Sequence, residues 1–551
     1  MRRGFCSLLL TALMLIAGPV AAAELVGGYP PDRALRLGER MYREGLLPSG
    51  EPMEALVQGD IPVSGTMFSC QSCHLRSGLG SVEGTIVTPP VNAVELFQDY
   101  TKAPAETLPQ WQEIPSSMRP PMIRPAYTDE TLARVIWTGV DSAGREISLT
   151  MPRYLLDEAD MEVLVYYLRH LSARPSPGVT SDTIRFATVI AGDVPAGKAK
   201  AMVATLEAYF RDRNLPTRRQ KDRARRGVFY RKHILTAWRR LELEVWRLEG
   251  DPQGWEDQLA RLYAQSPVFA LVGGLAAGDW EPIHRFCERM RLPCLFPLTE
   301  RPVISERDWY TLYFSRGDYQ EGETLARYLA GKKGDGRKLV VLRENGDRTK
   351  RVLLGFGQTW ERLAGEPVSD IAVTPEDLAQ MAPLKDGIVI CAVTDRLLPR
   401  LFDLVRRSSN SLFYLFHGVS PGLAKKLPAD LRPVVRMTYP YRLPEAESRY
   451  RRLVSIWLRG RGLKMTYPHV QTRCYFIGWM LSGVLMHLQS DYYRDFLLDI
   501  FDMMNDETYA IVDFPRLSFG QGQRYAAKGC YVVGFNPEDG RLQVLTDWVI
   551  H

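Results

Sequence analysis

Nothing in the sequence points to hydrolytic chemistry: no nucleophile elbow, phosphate-binding loop or acid–base pair of carboxylates is recognised in it. Histidine is scarce, 8 among 551 residues, and only one of them stands at a spacing that chemistry uses. The composition, 45% hydrophobic and 24% charged, excludes both a disordered chain and a bundle of membrane helices. The apolar run at the start, Leu8 to Ile16, falls short of the roughly 20 residues that a spanning helix needs. What remains is a chain long enough, at about 150 residues per domain, for three or four folding units.

The first residues read as an export signal. Arg2 and Arg3 supply positive charge, Leu8 to Ile16 the apolar region, and Ala21-Ala22-Ala23 a small-residue cleavage site before Glu24. Residues 1–23 are therefore expected to be removed, leaving a periplasmic protein without a transmembrane anchor. Cys6 precedes the apolar region, where a lipid-bearing cysteine would follow it. Nucleic acid is not an expected partner in that compartment.

The one histidine with informative neighbours is His74, in Cys70-Gln71-Ser72-Cys73-His74. Two thiols two residues apart, followed at once by an imidazole, are what covalent haem attachment requires: the cysteines add to the vinyl groups and the histidine binds the iron. The motif can instead be half a zinc site or a thioredoxin-like redox pair, but no second cysteine pair or His-x-x-x-His lies within reach to complete a zinc site. Around the motif, apolar positions predict a helix over Ala34 to Leu46, a polar loop before Cys70, and a helix from Thr128 through Ile136. A proline-rich stretch lies between Phe97 and Tyr127, and a last amphipathic helix is predicted from about Asp157 to Leu171. An all-α domain over residues 24–171 is expected.

Gly38 and Tyr42 in the first helix, Leu164, Tyr167 and Leu168 in the last, and Met151-Pro152 before it make residues 34–171 similar to a class I cytochrome c. The resemblance implies one haem c held by Cys70 and Cys73, with His74 proximal and Met151 distal, 77 residues further on. It also implies that the first and last helices cross at the small residue, and that Pro89 or Pro90 offers a carbonyl to orient the imidazole. Met118, Met122 and Met161 are rivals to Met151; Met161, on the apolar face of a helix, is better explained by packing.

Residues 172–182 are rich in Ser, Pro, Gly and Thr and read as a linker. From Thr183 onward, β-rich runs alternate with helical ones, among them Thr183 to Ile190, Ala196 to Arg211, Leu241 to Leu248, Gly355 to Leu363 and Leu412 to Phe416. Such alternation predicts parallel sheets with helices on both faces, in two lobes. Residues 183–551 resemble the type I periplasmic solute-binding proteins, the branched-chain amino acid and amide receptors of ABC importers. The likeness rests on Phe269 to Gly274, Asp318-Tyr319-Gln320-Glu321-Gly322, Leu517 to Arg524 and Asp547-Trp548-Val549. It implies a small-molecule ligand held between the lobes. It places the pocket near Ala276, Ala277 and Thr299, although an alanine cannot give the hydroxyl contact that amino acid receptors use at that turn.

A basic run, Arg218 to Arg226, replaces the family's turn after the first long helix and reads as a solvated loop. Charge is divided unequally. Residues 24–176 hold 13 Lys/Arg against 20 Asp/Glu, and the remainder beyond the signal 55 against 44. Opposite signs of that kind favour docking between the parts or steering of an acidic redox partner. Cys287 with Cys294, or Cys474 with Cys530, are possible bridges in an oxidising compartment, and Cys391 falls in an apolar strand. The expected function is that of a periplasmic electron carrier, not an enzyme, with a receptor-like part for sensing a ligand or docking a redox partner such as a periplasmic dehydrogenase. The alternative is the solute-binding component of an ABC importer with an accessory haem domain.

Overall fold

The computed structural model describes residues 25–83, 86–101, 123–224, 239–332, 337–488, 490–504 and 513–550. The chain forms two compact units, Met1–Ala173 and Arg174–His551.

In the first unit, Ala34, Gly38, Met41 and Tyr42 fall on one face of the helix Pro31–Glu44 and are buried there. Gly45 ends the helix in the left-handed conformation and returns its N–H to the Met41 carbonyl. This helix crosses Glu158–His170 at Gly38, where a side chain has no room: a Cβ would stand 2.5 Å from that of Tyr167 and 2.6 Å from the Val163 carbonyl. The rings of Tyr42 and Tyr167 meet beside the crossing, 5.5 Å apart. Thr128 caps Asp129–Thr138 in a reciprocal pair with Thr131, and Asp157 caps Glu158–His170.

The unit is not all-α. Glu54–Val57 is the middle strand of a three-stranded antiparallel sheet, flanked by Ile61–Ser64 and Arg153–Tyr154, and Val82–Glu83 pairs with Ile86–Val87. The segment read as a polar loop turns through positive φ at Gln58 and Gly59, which closes a hairpin. Ala55 is buried and faces Tyr154 across the ladder, tying the residues after Met151 to the start of the domain.

The second unit has two sheets. The first runs Tyr525–Ala527, Thr311–Ser315, Cys294–Leu295, Ala270–Val272, Thr183–Ala191, Arg240–Leu248, all neighbours parallel. The second runs Ile371–Ala372, Lys338–Arg343, Gly387–Ala392, Leu412–Phe416, Val435–Tyr439, Gly529–Phe535, Leu542–Val544, parallel until Gly529–Phe535 reverses. Each sheet has apolar cores on both faces, as strands buried on both sides require. The two lobes are joined by three crossings: residues 316–317, residues 440–443 and the single residue Lys528.

Two helices exceed their predicted lengths. Ala196–Ala224 runs 13 residues past Arg211 and takes in most of the basic stretch, because Arg, Lys, Gln and Ala all favour helix. Arg225 and Arg226 lie outside the described residues. Asp347–Ala364 begins eight residues before Gly355, in a charged turn whose apolar period is sparse. Residues 176–183, assigned to the linker and the first strand, are anchored to the second unit: Ser176 N–H donates to the Tyr492 carbonyl, and Val179 bridges Ile184.

Candidate functional site

Cys70–His74 forms a single helical turn. Cys73 is exposed, Cys70 half-buried and His74 buried, and both cysteines are free. Nδ1 of His74 lies 2.8 Å from the Pro89 carbonyl. A carbonyl only accepts, so Nδ1 carries the proton in this contact and Nε2 keeps its lone pair. Of the two prolines proposed for this role, Pro89 fills it. Its position depends on Gly80, at φ +74, where a Cβ would collide with the Thr88 carbonyl at 2.1 Å. Burial lowers the His74 pKa against the opposing pull of the Pro89 bond, which favours the neutral, ligating form. Burial likewise pushes the Cys70 thiol up to about 12, although the Tyr154 hydroxyl beside it acts in the other direction.

Met151 sits half-buried in a bend just before Arg153–Tyr154. Its N–H donates to the Ser148 carbonyl at 3.2 Å, and its own carbonyl accepts from Arg153 Nη1 at 2.6 Å. Met161 is 2% exposed within the apolar core, the packing role read for it. Met118 and Met122 lie outside the described residues.

In the second unit, segments that follow strands of both lobes bring charged and aromatic side chains together in one cluster. Its hub is Glu300, which follows Cys294–Leu295. The Glu300 carboxylate accepts from Arg473 Nη1 at 2.8 Å, and its side chain is 37% exposed. Burial would raise its pKa, but Arg473, Arg348 and His469 hold it below the usual value. Arg473, itself buried, lies over Phe314, Tyr441 and Phe514, with Asp513 at 3.3 Å on its other side. Asp513 also meets His469 Nδ1 at 2.8 Å.

From the other lobe come Asp318 and Glu321 in the first turn of Asp318–Ala330, and Arg348 at the start of Asp347–Ala364. Arg348 donates Nε and Nη2 to the two Asp318 oxygens, at 2.9 and 3.0 Å. Glu321 accepts from Thr438 Oγ1 at 2.6 Å and the Gly418 N–H at 2.8 Å. Burial, with a lesser push from Asp318, raises the Glu321 pKa to about 8, so it carries its proton at neutral pH. His417, against the rings of Tyr439 and Tyr441, is driven down to about 4 by burial and stays neutral. Its Nδ1 is buried without a partner. Lys198, half-buried near Glu300 and Arg473, has no hydrogen-bond partner for its ammonium among the described residues, and burial lowers its pKa. Fixed cations and anions thus nearly balance, with donors and an aromatic wall left over.

Ala276 lies in the short strand Leu275–Ala276, paired with Ile190–Ala191, and Ala277 gives its N–H to the Ala191 carbonyl. Thr299 Oγ1 accepts from the Arg301 N–H at 3.0 Å, which leaves its hydroxyl proton free. Thr299 adjoins the hub, whereas Glu300, Glu321, Arg348, His417, Tyr441 and Arg473 were not singled out from sequence as pocket residues. Strand ends were the available signal: Glu300 and His417 each follow an apolar strand at its carboxyl end. Contrary to the expectation that no nucleophile elbow is present, Gly418-Val419-Ser420-Pro421-Gly422 has that spacing, between a strand and the turn Leu423–Lys426. Ser420 is fully buried and its hydroxyl bonds the Val393 carbonyl, so the spacing carries no nucleophile.

Among the described residues, no helix is long and apolar enough to cross a membrane. No family model matches the chain, and no curated protein does. Solved structures similar to part of it include a possible leucine/isoleucine/valine-binding protein from Rhodopirellula baltica SH 1, 16% identical, covering 67% of this chain and 98% of its own, with a TM-score of 0.43. A branched chain amino acid ABC transporter protein from Thermus thermophilus with bound valine is 12% identical, with 67% and 97% covered and a TM-score of 0.44. A solute binding protein of an ABC transporter from Rhodopseudomonas palustris BisB5, in complex with 3,4-dihydroxy benzoic acid, is 15% identical, with 67% and 97% covered and a TM-score of 0.44.

Proposed function

We propose that the chain is an exported two-part protein: a solute receptor, Arg174–His551, joined to a haem c unit. The observation that carries the receptor reading is the cleft itself. Charged and aromatic groups from both lobes converge on Glu300, and three short crossings let the lobes move about them. A small polar solute enters between the lobes, takes the Lys198 ammonium and the free face of Glu300, and is covered when the lobes close. Binding that favours the closed arrangement is then the signal, to an importer or to the attached redox unit. Ala276 and Ala277 remain peripheral in this reading, and Thr299 contributes its hydroxyl.

The first unit's residues fit a haem c. Cys70 and Cys73 lie free on one turn, and Pro89 leaves Nε2 of His74 able to ligate. Bound there, the haem would supply an iron that exchanges single electrons. His74 and Met151 are the residues that would hold that iron. An acidic first unit and a basic second one suit a periplasmic dehydrogenase or similar donor as redox partner.

Thermal-shift measurements with amino acids, amides, alcohols and quinone cofactors test the receptor. A ligand of the folded form raises the melting temperature, and Lys198→Ala abolishes the rise. No shift across the panel would leave docking as the unit's role. For the haem, a reduced-minus-oxidised spectrum shows a methionine-to-iron charge-transfer band that disappears in Met151→Ala; its persistence there would reject Met151 as ligand.

A further inference from the structure

The seven buried and unburied cysteines of the described residues are not equivalent. Cys287 is in the last turn of Glu281–Arg289, and Cys294 opens the strand Cys294–Leu295. The connection between them is tight: Leu292 N–H returns to the Cys287 carbonyl at 2.9 Å, and Arg291 turns the chain at φ +48. Both side chains enter the same core, with Trp246, Trp255, Phe286 and Tyr313, and both are completely buried. There the Cys294 thiol acts directly on that of Cys287, and both are unbridged in the structure. The rival pair is set in different lobes: Cys474 lies in the first lobe's other core, beside Arg473, while Cys530 lies on a strand of the second lobe against Thr324 and Tyr531. Cys391 is buried in the second lobe's core.

We infer that Cys287 and Cys294 form a disulfide in the mature protein, closing the helix-to-strand turn that leads to Glu300. The inference rests on the export reading above, since an oxidising compartment is needed. The two thiols together lose two electrons and two protons and gain one S–S bond. The electrons pass to the disulfide of a thiol-oxidising protein, which becomes a dithiol. Burial and the neighbouring thiol keep Cys287 protonated once folded, so attack by its thiolate belongs to folding, while the chain is still open. The bond holds Cys294 against the helix and so fixes the strand from which the cleft's hub projects.

The test is peptide mapping of the full-length holoprotein, purified without reductant from the periplasmic fraction and alkylated in denaturant before tryptic digestion. Arg289 and Arg291 lie between the two cysteines, so a disulfide joins two separate peptides, and their combined mass is two hydrogens below the sum. Recovery of that linked pair, lost on reduction, is expected. Reduction is also expected to lower the melting temperature by several degrees, and Cys287→Ser to give the same lower value with or without reductant. Both cysteines recovered alkylated from periplasmic material would overturn the inference. If the protein is found in the cytoplasm, export fails separately. Refolding of the full chain from denaturant in a glutathione redox buffer then decides: linkage of Cys287 to Cys294 supports the pairing, and any other pairing or none overturns it.

Discussion

The turn Cys70–His74 and the charged cluster around Glu300, the two sites proposed above to take a partner from outside the chain, are built by opposite means. The turn concentrates three reactive side chains in five residues, and its surroundings add one carbonyl, that of Pro89. The cleft draws single side chains from segments between Lys198 and Asp513, each balanced against a charge on another element. A covalent attachment site tolerates loose surroundings because bonds fix the cofactor. A reversible site must be organised before the ligand comes, and buried opposite charges do that only while all of them are present.

The contrast can be broken at either end. The largest effect belongs to the turn: Cys70→Ala with Cys73→Ala is expected to remove all covalently bound haem, read by haem staining after denaturing electrophoresis, while a cleft variant such as Arg473→Met keeps it. Arg473→Met in turn leaves the buried Asp513 with His469 as its side-chain partner and takes from Glu300 the arginine that pairs with it. A loss of about 3–5 kcal/mol, measured by urea denaturation of the second unit's transition, is expected. Glu321→Gln sharpens the comparison through pH. The folded pKa of about 8 exceeds the ordinary 4.5 because of burial, so the folded form binds an extra proton between those values, and stability falls as pH rises through that window. Replacing the carboxyl by an amide removes the decline, and unfolding free energies from urea denaturation at pH 5.5 and 8.5 should converge by on the order of a few kcal/mol. Gly317→Ala is the smallest change. At φ +57 its Cβ would meet the Glu300 carbonyl at 2.1 Å, and a destabilisation of roughly 1–3 kcal/mol is expected by the same measurement.

Local order was readable wherever neighbours in sequence determine it. Thr128 and Asp157 announce their helices because caps act over three residues, and Leu412–Phe416 stands out because a buried strand is uniformly apolar. The antiparallel sheet of the first unit was hidden: Arg153–Tyr154 is too short to show a period, and its partner lies about 100 residues away. The long reach of Ala196–Ala224 was hidden by charge, which reads as loop but serves helix as well. The cleft was legible only at its edge, through Thr299 and Asp318-Tyr319-Gln320-Glu321-Gly322. Arg473, Tyr441 and His417 acquire meaning from lobes that the chain visits twice each, and no spacing in the sequence encodes those visits.

Lys528 alone separates Tyr525–Ala527 in one lobe from Gly529–Phe535 in the other, so a single peptide run serves both sheets. Sliding one lobe over the other would shear both ladders at that point, and the hydrogen bonds of each sheet resist it. Rotation about the three crossings leaves every ladder intact. In the receptor reading proposed above, a small torsional change at Gly317, residues 440–443 and Lys528 would become a long arc where the lobes meet, in the manner of a door whose hinge pin is part of both frame and leaf.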